Sequence, residues 1–423
     1  MRTLPMPSTL LRNAYALYAL QLANYIIPLL TLPFLVRSLG TEAFGWLAWS
    51  AAVNFYFVLL VDAGMNTHAA KELAKLDPQN KAENRHAAGA VVVHVTALKW
   101  LLLFASALVM LTCTALITSW HAQWPLFAWC FMTVVGSAVF PTWLFQGLQI
   151  MHNTLFFGLA GRVLATCGIF LLVDGPQDLL WAAALQSSAT FLSGLMALPT
   201  ILALPCLAWS RPHWAGICDV ARKSRHLAIT DYTLTALANS TVFLMGMVFS
   251  KEVVGMYAAI EKTIRAAASM FSPLIQAAQP RWVQAWHRQG QIFQPQRLHS
   301  WTVVFLLLAL VGAVTAHTFA EWGLALLFNE ATASHADWAK ILSFWLPFNV
   351  ANAMLSAWWW VASGREKQLA KRVLPGAVLQ ATVFAWALNT THTELALWAW
   401  VTCEAFMTLL LTHRSGLLSK QHG

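Results

Sequence analysis

The chain has 423 residues, of which 58% are hydrophobic and 10% are charged, and its mean hydropathy is +0.59. Because a soluble domain carries about 25% charged residues, this composition excludes a soluble globular protein and is typical of a chain embedded in a bilayer. The formal net charge of +9 could suggest a nucleic-acid partner. The basic residues are concentrated in alternate loops, however, so they predict membrane topology rather than nucleic-acid binding.

Apolar stretches between charged or turn-rich breaks predict about twelve membrane spans, since about 20 residues cross a bilayer. The breaks leave no room for a soluble domain of useful size. No Gly-x-x-x-x-Gly-Lys motif occurs, which excludes a P-loop ATPase. The predicted spans lie near 13–36, 44–67, 87–118, 124–145, 155–173, 179–208, 227–249, 253–279, 300–320, 341–363, 374–390 and 393–412.

Alternate loops carry most of the basic residues. By the positive-inside rule these loops lie in the cytoplasm, so both termini are predicted to be cytoplasmic. The basic segments are the tail before Asn13, the loops 68–86, 209–226, 281–297 and 365–372, and the tail 414–420.

The cysteines and histidines give no sign of a metal centre. The six cysteines form no Cys-x-x-Cys pair, and the 14 histidines show no ligand spacing. We therefore expect neither disulfides nor a metal site, and no cofactor.

The first and seventh predicted spans carry polar side chains at helical spacing on one face. Such a stripe avoids lipid. It either lines a cavity or hydrogen-bonds neighbouring helices, and for each residue both alternatives stay open. The polar residues are Gln21, Asn24 and Thr31 in the first span, with Pro28 on the same face, and Asp231, Thr235 and Asn239 in the seventh.

Two short motifs recur at an offset of about half the chain. Glu-x-x-Gly-x-x-Ala occurs at 42–48 and 252–258, and Trp-x-x-x-Gly occurs at 143–147 and 360–364. An even number of spans per half makes the halves parallel repeats. The predicted fold is therefore an all-α polytopic membrane protein of about 12 helices, in two parallel six-helix pseudo-repeats around a central cavity. The predicted division is an N-terminal half at 1–210, a cytoplasmic linker at 211–226 and a C-terminal half at 227–423.

Two basic residues on the eighth predicted span are the main candidates for binding an anionic cargo. An ionisable side chain near the bilayer centre costs on the order of 3 kcal/mol, so it usually lines water or is paired. Lys262 and Arg265 lie about 14 and 18 Å into the span, at about 1.5 Å per residue, and share one face. Alternatively, Glu261 lies four residues before Arg265 and neutralises it in an intrahelical ion pair. Glu404, midway along the last span, is either the counter-ion of a cavity lysine or a proton-responsive carboxylate.

Three further cations are candidates for the same cavity, each with an alternative. Lys99 is mid-membrane if the third span starts near 87, whereas it snorkels to the cytoplasm if the span starts near 95. Arg162, in the cytoplasmic half of its span, lines the cavity or anchors the helix at the interface. Arg37 ends the first span near the periplasmic surface and is a gate or an anchor.

A dense set of motifs runs from Asn13 to Asn84, with echoes later in the chain. They are Gln21-x-x-Asn24-Tyr25, Pro28-Leu-Leu-Thr-Leu-Pro33-Phe-Leu-x-Arg37-x-Leu-Gly40-x-Glu42-x-Phe-Gly45, Asp62-x-Gly64-x-Asn66, Trp143-x-Phe-Gln146-Gly147, Gly255-x-Tyr257 and Pro280-Arg281. In these motifs the chain resembles the oligosaccharide-lipid flippases that export O-antigen and related repeat units. These flippases belong to the multidrug, oligosaccharidyl-lipid and polysaccharide exporter superfamily.

The resemblance implies a cargo and a direction of transport. The cargo would be an oligosaccharide on undecaprenyl diphosphate, moved from the cytoplasmic to the periplasmic leaflet of the bacterial inner membrane. The positively charged cavity of the family maps onto Lys262 and Arg265. Flipping needs no covalent chemistry, so the resemblance implies no catalytic residue and no enzyme activity. The implied partners are the lipid-linked cargo, the bilayer, and the repeat-unit polymerase and other glycan-assembly proteins, with no nucleic acid.

Three alternative functions remain open at this point. A cation-coupled drug exporter of the same superfamily should favour acidic cavity residues, whereas basic ones dominate here. A lipid II flippase commonly has helices beyond twelve. A membrane glycosyltransferase or polymerase usually has a large periplasmic loop with catalytic charges, and the longest predicted here, about 321–340, is small.

Overall fold

The computed structural model describes residues 8–77, 79, 82–289, 296–388 and 393–412. Every regular element in this part of the chain is helical and no strand occurs there, which agrees with the predicted all-α membrane fold. Side chains before Ile27 and those of 226–234 lie outside the described residues. The predicted cavity-lining side chains of Gln21, Asn24 and Asp231 fall in these two segments.

The chain folds as two units. Unit 1 comprises Met1–Thr31 and Leu47–Ala236, and unit 2 comprises Leu32–Trp46 and Leu237–Gly423. A short segment of the N-terminal sequence therefore packs with the C-terminal helices. The division at 210 and 226 stays a prediction.

Unit 1 is built mainly from long apolar helices. The longest helix, α1, contributes residues to both units and is bent at Gly40, a residue of unit 2 whose φ of 78° lies in the left-handed region that favours glycine. The bend falls in the turn predicted between the first two spans. The helices begin and end as follows: α1 Ser8–Asp62, α2 Met65–Leu76, α3 Arg85–Leu116, α4 Thr118–His121, α5 Trp124–Cys130, α6 Met132–Val139, α7 Thr142–Gly147, α8 Met151–Leu172, α9 Leu179–Leu202 and α10 Trp214–Ala238.

Unit 2 has more interrupted helices. The helix that begins at Lys251 ends at Ser269, and the next helix begins at Ser272 after a break at Met270–Phe271. A π-helical segment at Leu355–Val361 follows the helix that ends at Met354. The helices begin and end as follows: α11 Ser240–Val248, α12 Lys251–Ser269, α13 Ser272–Gln289, α14 Gln296–Thr318, α15 Ala320–Leu327, α16 Glu330–Ala333, α17 Ala336–Ser343, α18 Trp345–Met354, α19 Glu366–Leu388 and α20 Thr393–Thr412.

Six helical stretches of the described residues are long and apolar enough to cross a membrane. A seventh follows if α14 and α15, which are bent by 75° relative to each other, form one span. The exact number of twelve spans stays a prediction, with which the helix order is compatible. The six stretches are Ile27–Leu76, Arg85–Leu116, Trp124–Gly147, Met151–Leu172, Pro176–Leu202 and Thr393–Thr412.

The repeated Glu-x-x-Gly motifs pack directly against each other within unit 2. A Cβ atom added to Gly45 would clash with the carbonyl oxygen of Lys251, and one added to Gly255 would clash with that of Thr41. The contact is reciprocal, because each clashing carbonyl lies four residues before the opposite glycine. Small residues permit this close approach of two helix backbones. The repeat therefore marks a helix crossing, which the sequence alone did not predict.

We expect Gly255→Ala to destabilise the protein, because the new methyl group meets backbone atoms that cannot rotate away. Overpacking of this kind costs about 1–3 kcal/mol. The measurement is the thermal unfolding midpoint of the purified chain. Gly323→Ala in α15 is the matched control, since nothing lies within 4 Å of its added Cβ. Equal midpoints for the two variants would contradict the close crossing.

Candidate substrate-binding site

Helix α12 carries the predicted cation pair. Its N-terminus is capped by Ser250, whose side chain accepts a hydrogen bond from the Val253 amide, and Glu252 in the first turn favours the positive end of the helix dipole. Residues from Val254 to Ile260 are buried. This packing fixes the helix and thereby the direction of the charged turn that follows it.

Arg265 is held by groups of unit 2. Its Nε donates to Oε1 of Glu261 at 2.8 Å, and Glu261 is only 4% exposed. The guanidinium carbon also lies 5.5 Å from the Trp345 ring centroid and 5.0 Å from that of Trp400, so two cation–π contacts add to the ion pair. The intrahelical pair that the sequence offered as an alternative is thus present. Arg265 and Lys262 are not two equal charges available to one anion.

Lys262 has a different environment. Its Nζ lies 5.3 Å from the ring centroid of Phe44, and its side chain is half-buried. Lys262 forms no ion pair within the described part of the chain, although the neighbouring Glu261 carboxylate acts on it electrostatically.

Glu404 of α20 accepts hydrogen bonds from two asparagines of α18. Its Oε1 lies 3.0 Å from Nδ2 of Asn352 and 3.5 Å from Nδ2 of Asn349. Arg265 lies within electrostatic range of the same carboxylate. No ion pair in the described residues joins Glu404 to Lys262, so neither of its two predicted roles is decided.

Lys99 is an internal cation of unit 1. It is 1% exposed, and its Nζ donates to Oδ1 of Asp62 at 2.7 Å, Oδ1 of Asn66 at 2.8 Å and the Ser137 carbonyl at 3.2 Å. The predicted alternative of snorkelling to the cytoplasm is wrong, because α3 begins at Arg85 and buries this residue. The ammonium group of Lys99 therefore has protein groups as hydrogen-bond partners and is not available to a cargo.

The hydrogen bonds of Lys99 stabilise a break in the helical backbone. Ala63 and Gly64, with φ values of 37° and 67°, separate α1 from α2 in the left-handed region. Asp62 and Asn66 flank this break, and both bind the same ammonium group. We interpret Lys99 as the residue that fixes the angle between the two helices.

Arg37 is exposed and donates to the C-terminal end of α15. Its Nε lies 2.7 Å from the Phe328 carbonyl oxygen, and its Nη2 donates to the Leu326 carbonyl. A cation beside free carbonyls at a helix C-terminus is electrostatically favourable. The arrangement fits the anchor that the sequence offered as an alternative to a gate.

Two other predicted residues are placed differently from expectation. Arg162 lies at the middle of α8, because that helix begins at Met151, earlier than the predicted start at 155. Its Nη1 is buried without a hydrogen-bond partner in the described residues. Asn239 is exposed at the break between α10 and α11, so the predicted continuous stripe from Asp231 is interrupted there.

Comparison with known proteins identifies the family. Residues 10–286 match the family described as polysaccharide biosynthesis protein, and this stretch is more than half of the chain. The chain belongs to this family.

Two curated relatives are assigned as O-antigen transporters. The one from Escherichia coli (strain K12) is 27% identical over 284 residues, which is 64% of this chain and 65% of that protein. The one from Shigella dysenteriae is 22% identical over 379 residues, which is 87% of this chain and 90% of that protein. Similarity to the first relative therefore spans slightly less than two thirds of its length.

Solved structures show the fold. A multidrug resistance MATE family transporter of the MOP superfamily, in an inward-facing conformation, superposes with a TM-score of 0.66 at 14% identity, covering 94% of this chain and 100% of that one. The lipid II flippase MurJ gives 0.63 at 10% identity, covering 95% and 87%. These likenesses concern the fold, and together with the six long apolar helices they make the chain a multi-pass membrane protein. The resemblance inferred from the sequence motifs is confirmed by the family match and the curated relatives.

Sequence reasoning missed several groups around Arg265 and Glu404. Trp345 and Trp400 are not among the predicted site residues, although both are buried beside Arg265. Asn349 and Asn352 lie three residues apart in a predicted span, and this spacing was the available signal for a polar site. The partners of Lys99 lie on other helices and left no local signal.

Proposed function

We propose that this protein is a flippase for an oligosaccharide linked to undecaprenyl diphosphate. It moves the cargo from the cytoplasmic to the periplasmic leaflet of the bacterial inner membrane by alternating access. The family and the assignment of both curated relatives as O-antigen transporters support this function. No catalytic residue and no cofactor are part of the proposal.

The observation that carries the proposal is the half-buried ammonium group of Lys262 on α12, which forms no ion pair in the described residues. A diphosphate with its sugars is anionic and strongly hydrated, whereas its polyprenyl tail is soluble in lipid. An ammonium group on a membrane helix provides the charge that such a headgroup requires. Lys262 contacts the diphosphate in this proposal, and Arg265 fixes the surrounding tryptophans rather than binding cargo directly.

The remaining predicted residues have secondary roles in the proposal. Glu404 is either a counter-ion that sets the charge around Arg265 or the carboxylate that responds to protons. Arg37 and Lys99 shape the helices through the contacts described above. Both termini are cytoplasmic, and residues 1–210 and 227–423 are the two halves of the transporter, joined by 211–226.

The proposal is distinguished from drug export by the sign of the charges. A carrier for cationic drugs needs a carboxylate that is available to the cargo, whereas Glu261 is paired with Arg265 and Glu404 accepts hydrogen bonds from Asn349 and Asn352 in the described residues. The similarity to MATE transporters and to MurJ concerns the fold, so it does not choose among their cargoes.

The test is deletion of the gene in its own host. We expect surface glycan to be lost and lipid-linked repeat units to accumulate in the inner membrane with their sugars on the cytoplasmic side. Glycosidase digestion of inside-out and right-side-out vesicles distinguishes the two sides. Wild-type surface glycan in the deletion strain, with no accumulation of lipid-linked units, would contradict the proposal.

A further inference from the structure

Unit 1 contains a second polar feature, an open cleft formed by residues of α1, α8 and α9. Its cavity volume is about 230 Å³. The polar residues that line it are Arg162, Thr31, Thr166 and Gln186. Apolar side chains complete the wall. We call this feature the Arg162 cleft.

Arg162 is the charged residue of the cleft. It lies about 16 Å from the start of α8 at Met151, at about 1.5 Å per residue, which places it far from either headgroup layer. Arginine keeps its charge in proteins, so burial must be compensated by an anion or by water. None of the ion pairs in the described residues includes Arg162, and its buried Nη1 lacks a hydrogen-bond partner there.

The backbone beside Arg162 is fixed by a close helix contact. A Cβ added to Gly161 would lie 2.7 Å from the Ser193 amide nitrogen and would also meet the Ala189 carbonyl. Ala189 itself lines the cleft. Because α8 and α9 touch at Gly161, the next residue is held at the junction of the two helices. This contact fixes the backbone position from which the Arg162 side chain reaches the cleft.

We propose that the Arg162 cleft binds an oxyanion on the hydrophilic part of the cargo. A guanidinium presents a planar fork of donors that matches a phosphate or carboxylate group, and the Gln186 amide and the Thr166 hydroxyl supply hydrogen bonds to neighbouring oxygens. The oxyanion comes from the diphosphate linkage or from an acidic sugar. This site deepens the proposed function and rests on it, since it gives unit 1 a cargo contact of its own.

The experiment uses the full chain purified in detergent, with Lys262→Ala as background so that the site on α12 does not contribute. Inorganic pyrophosphate and D-glucuronate are titrated separately by isothermal titration calorimetry, with D-glucose as the neutral probe. We expect one anionic probe to bind saturably and glucose not to bind. Adding Arg162→Gln should weaken that binding at least about tenfold, since it removes the charged fork.

Matched variants separate binding from folding. Arg211→Gln removes an exposed arginine of a loop and should leave binding unchanged. If Arg162→Gln does not elute as a monodisperse protein, Gln186→Leu tests the opposite wall and should weaken binding severalfold.

The two anionic probes identify the oxyanion that the cleft binds. Binding of pyrophosphate alone identifies it as the diphosphate linkage, and binding of glucuronate alone identifies it as an acidic sugar. Undiminished binding in the folded Arg162→Gln variant, or no binding of either anion in the background, overturns the proposal. Neither result depends on the outcome of gene deletion.

Discussion

Replacement of Lys262 by alanine is expected to abolish export of surface glycan. The substitution removes the positive charge of Lys262, which forms no ion pair in the described residues, while the Glu261–Arg265 pair and its two tryptophan contacts stay intact. A charge-assisted hydrogen bond contributes roughly 1.5–3 kcal/mol, so we expect more than about a tenfold loss of transport. Lys262→Arg keeps the charge and should retain most of the activity.

The measurement is surface glycan in a deletion strain complemented with each variant at equal membrane abundance. Lys75→Ala is the matched control, because its exposed pair with Glu72 on α2 contributes little to stability.

A single substitution is more informative than the double variant at Lys262 and Arg265. Loss of Arg265 would leave Glu261 buried without its partner and confuse cargo binding with misfolding. Wild-type glycan with Lys262→Ala would remove this residue from the cargo site.

A second large effect is expected at the internal ion pair of unit 1. Asp62→Ala leaves Lys99, a residue that is 1% exposed, without its carboxylate. Because the Asp62 side chain is 30% exposed, we expect a cost of up to about 3 kcal/mol, the lower end for breaking a fully buried pair. The break at Ala63 and Gly64 would also lose one of its supports. We therefore expect a lower unfolding midpoint and a smaller yield of monodisperse protein.

A double-mutant cycle checks this assignment. Adding Lys99→Met removes the orphaned charge and should restore part of the stability lost in Asp62→Ala, with a coupling of at least about 1 kcal/mol. Lys223→Met with Asp219→Ala is the control cycle, because that pair lies on the surface, with side chains 57% and 49% exposed. Additive effects of Asp62→Ala and Lys99→Met would contradict a structural ion pair.

The overall fold was predictable because its signal is spread over long segments. Apolar length and the spacing of basic loops predict a helical membrane protein, and the described helices and the solved neighbours agree with it. The residues at which individual helices begin and end were less predictable. The start of α8 at Met151 moves Arg162 to the middle of its helix, and the apolar pattern did not contain this difference.

Contacts within one helix were predictable, whereas contacts between helices were not. The spacing of Glu261 and Arg265 by four residues predicts their ion pair, which the structure contains. The pairing of Lys99 with Asp62 depends on the packing of α1 against α3, for which periodicity gives no information. The glycines of the repeated motif were recognised as a duplication, but their mutual contact required the coordinates.

Transbilayer movement of the lipid-linked oligosaccharide in proteoliposomes tests the central claim most directly. The purified chain is reconstituted with a fluorescently labelled cargo, and the outer-leaflet fraction is quenched with a reagent that does not cross the membrane. We expect the wild-type protein to make the inner-leaflet pool accessible, and Lys262→Ala to behave like protein-free liposomes. An inner-leaflet pool that stays protected with the folded wild-type protein would contradict the account.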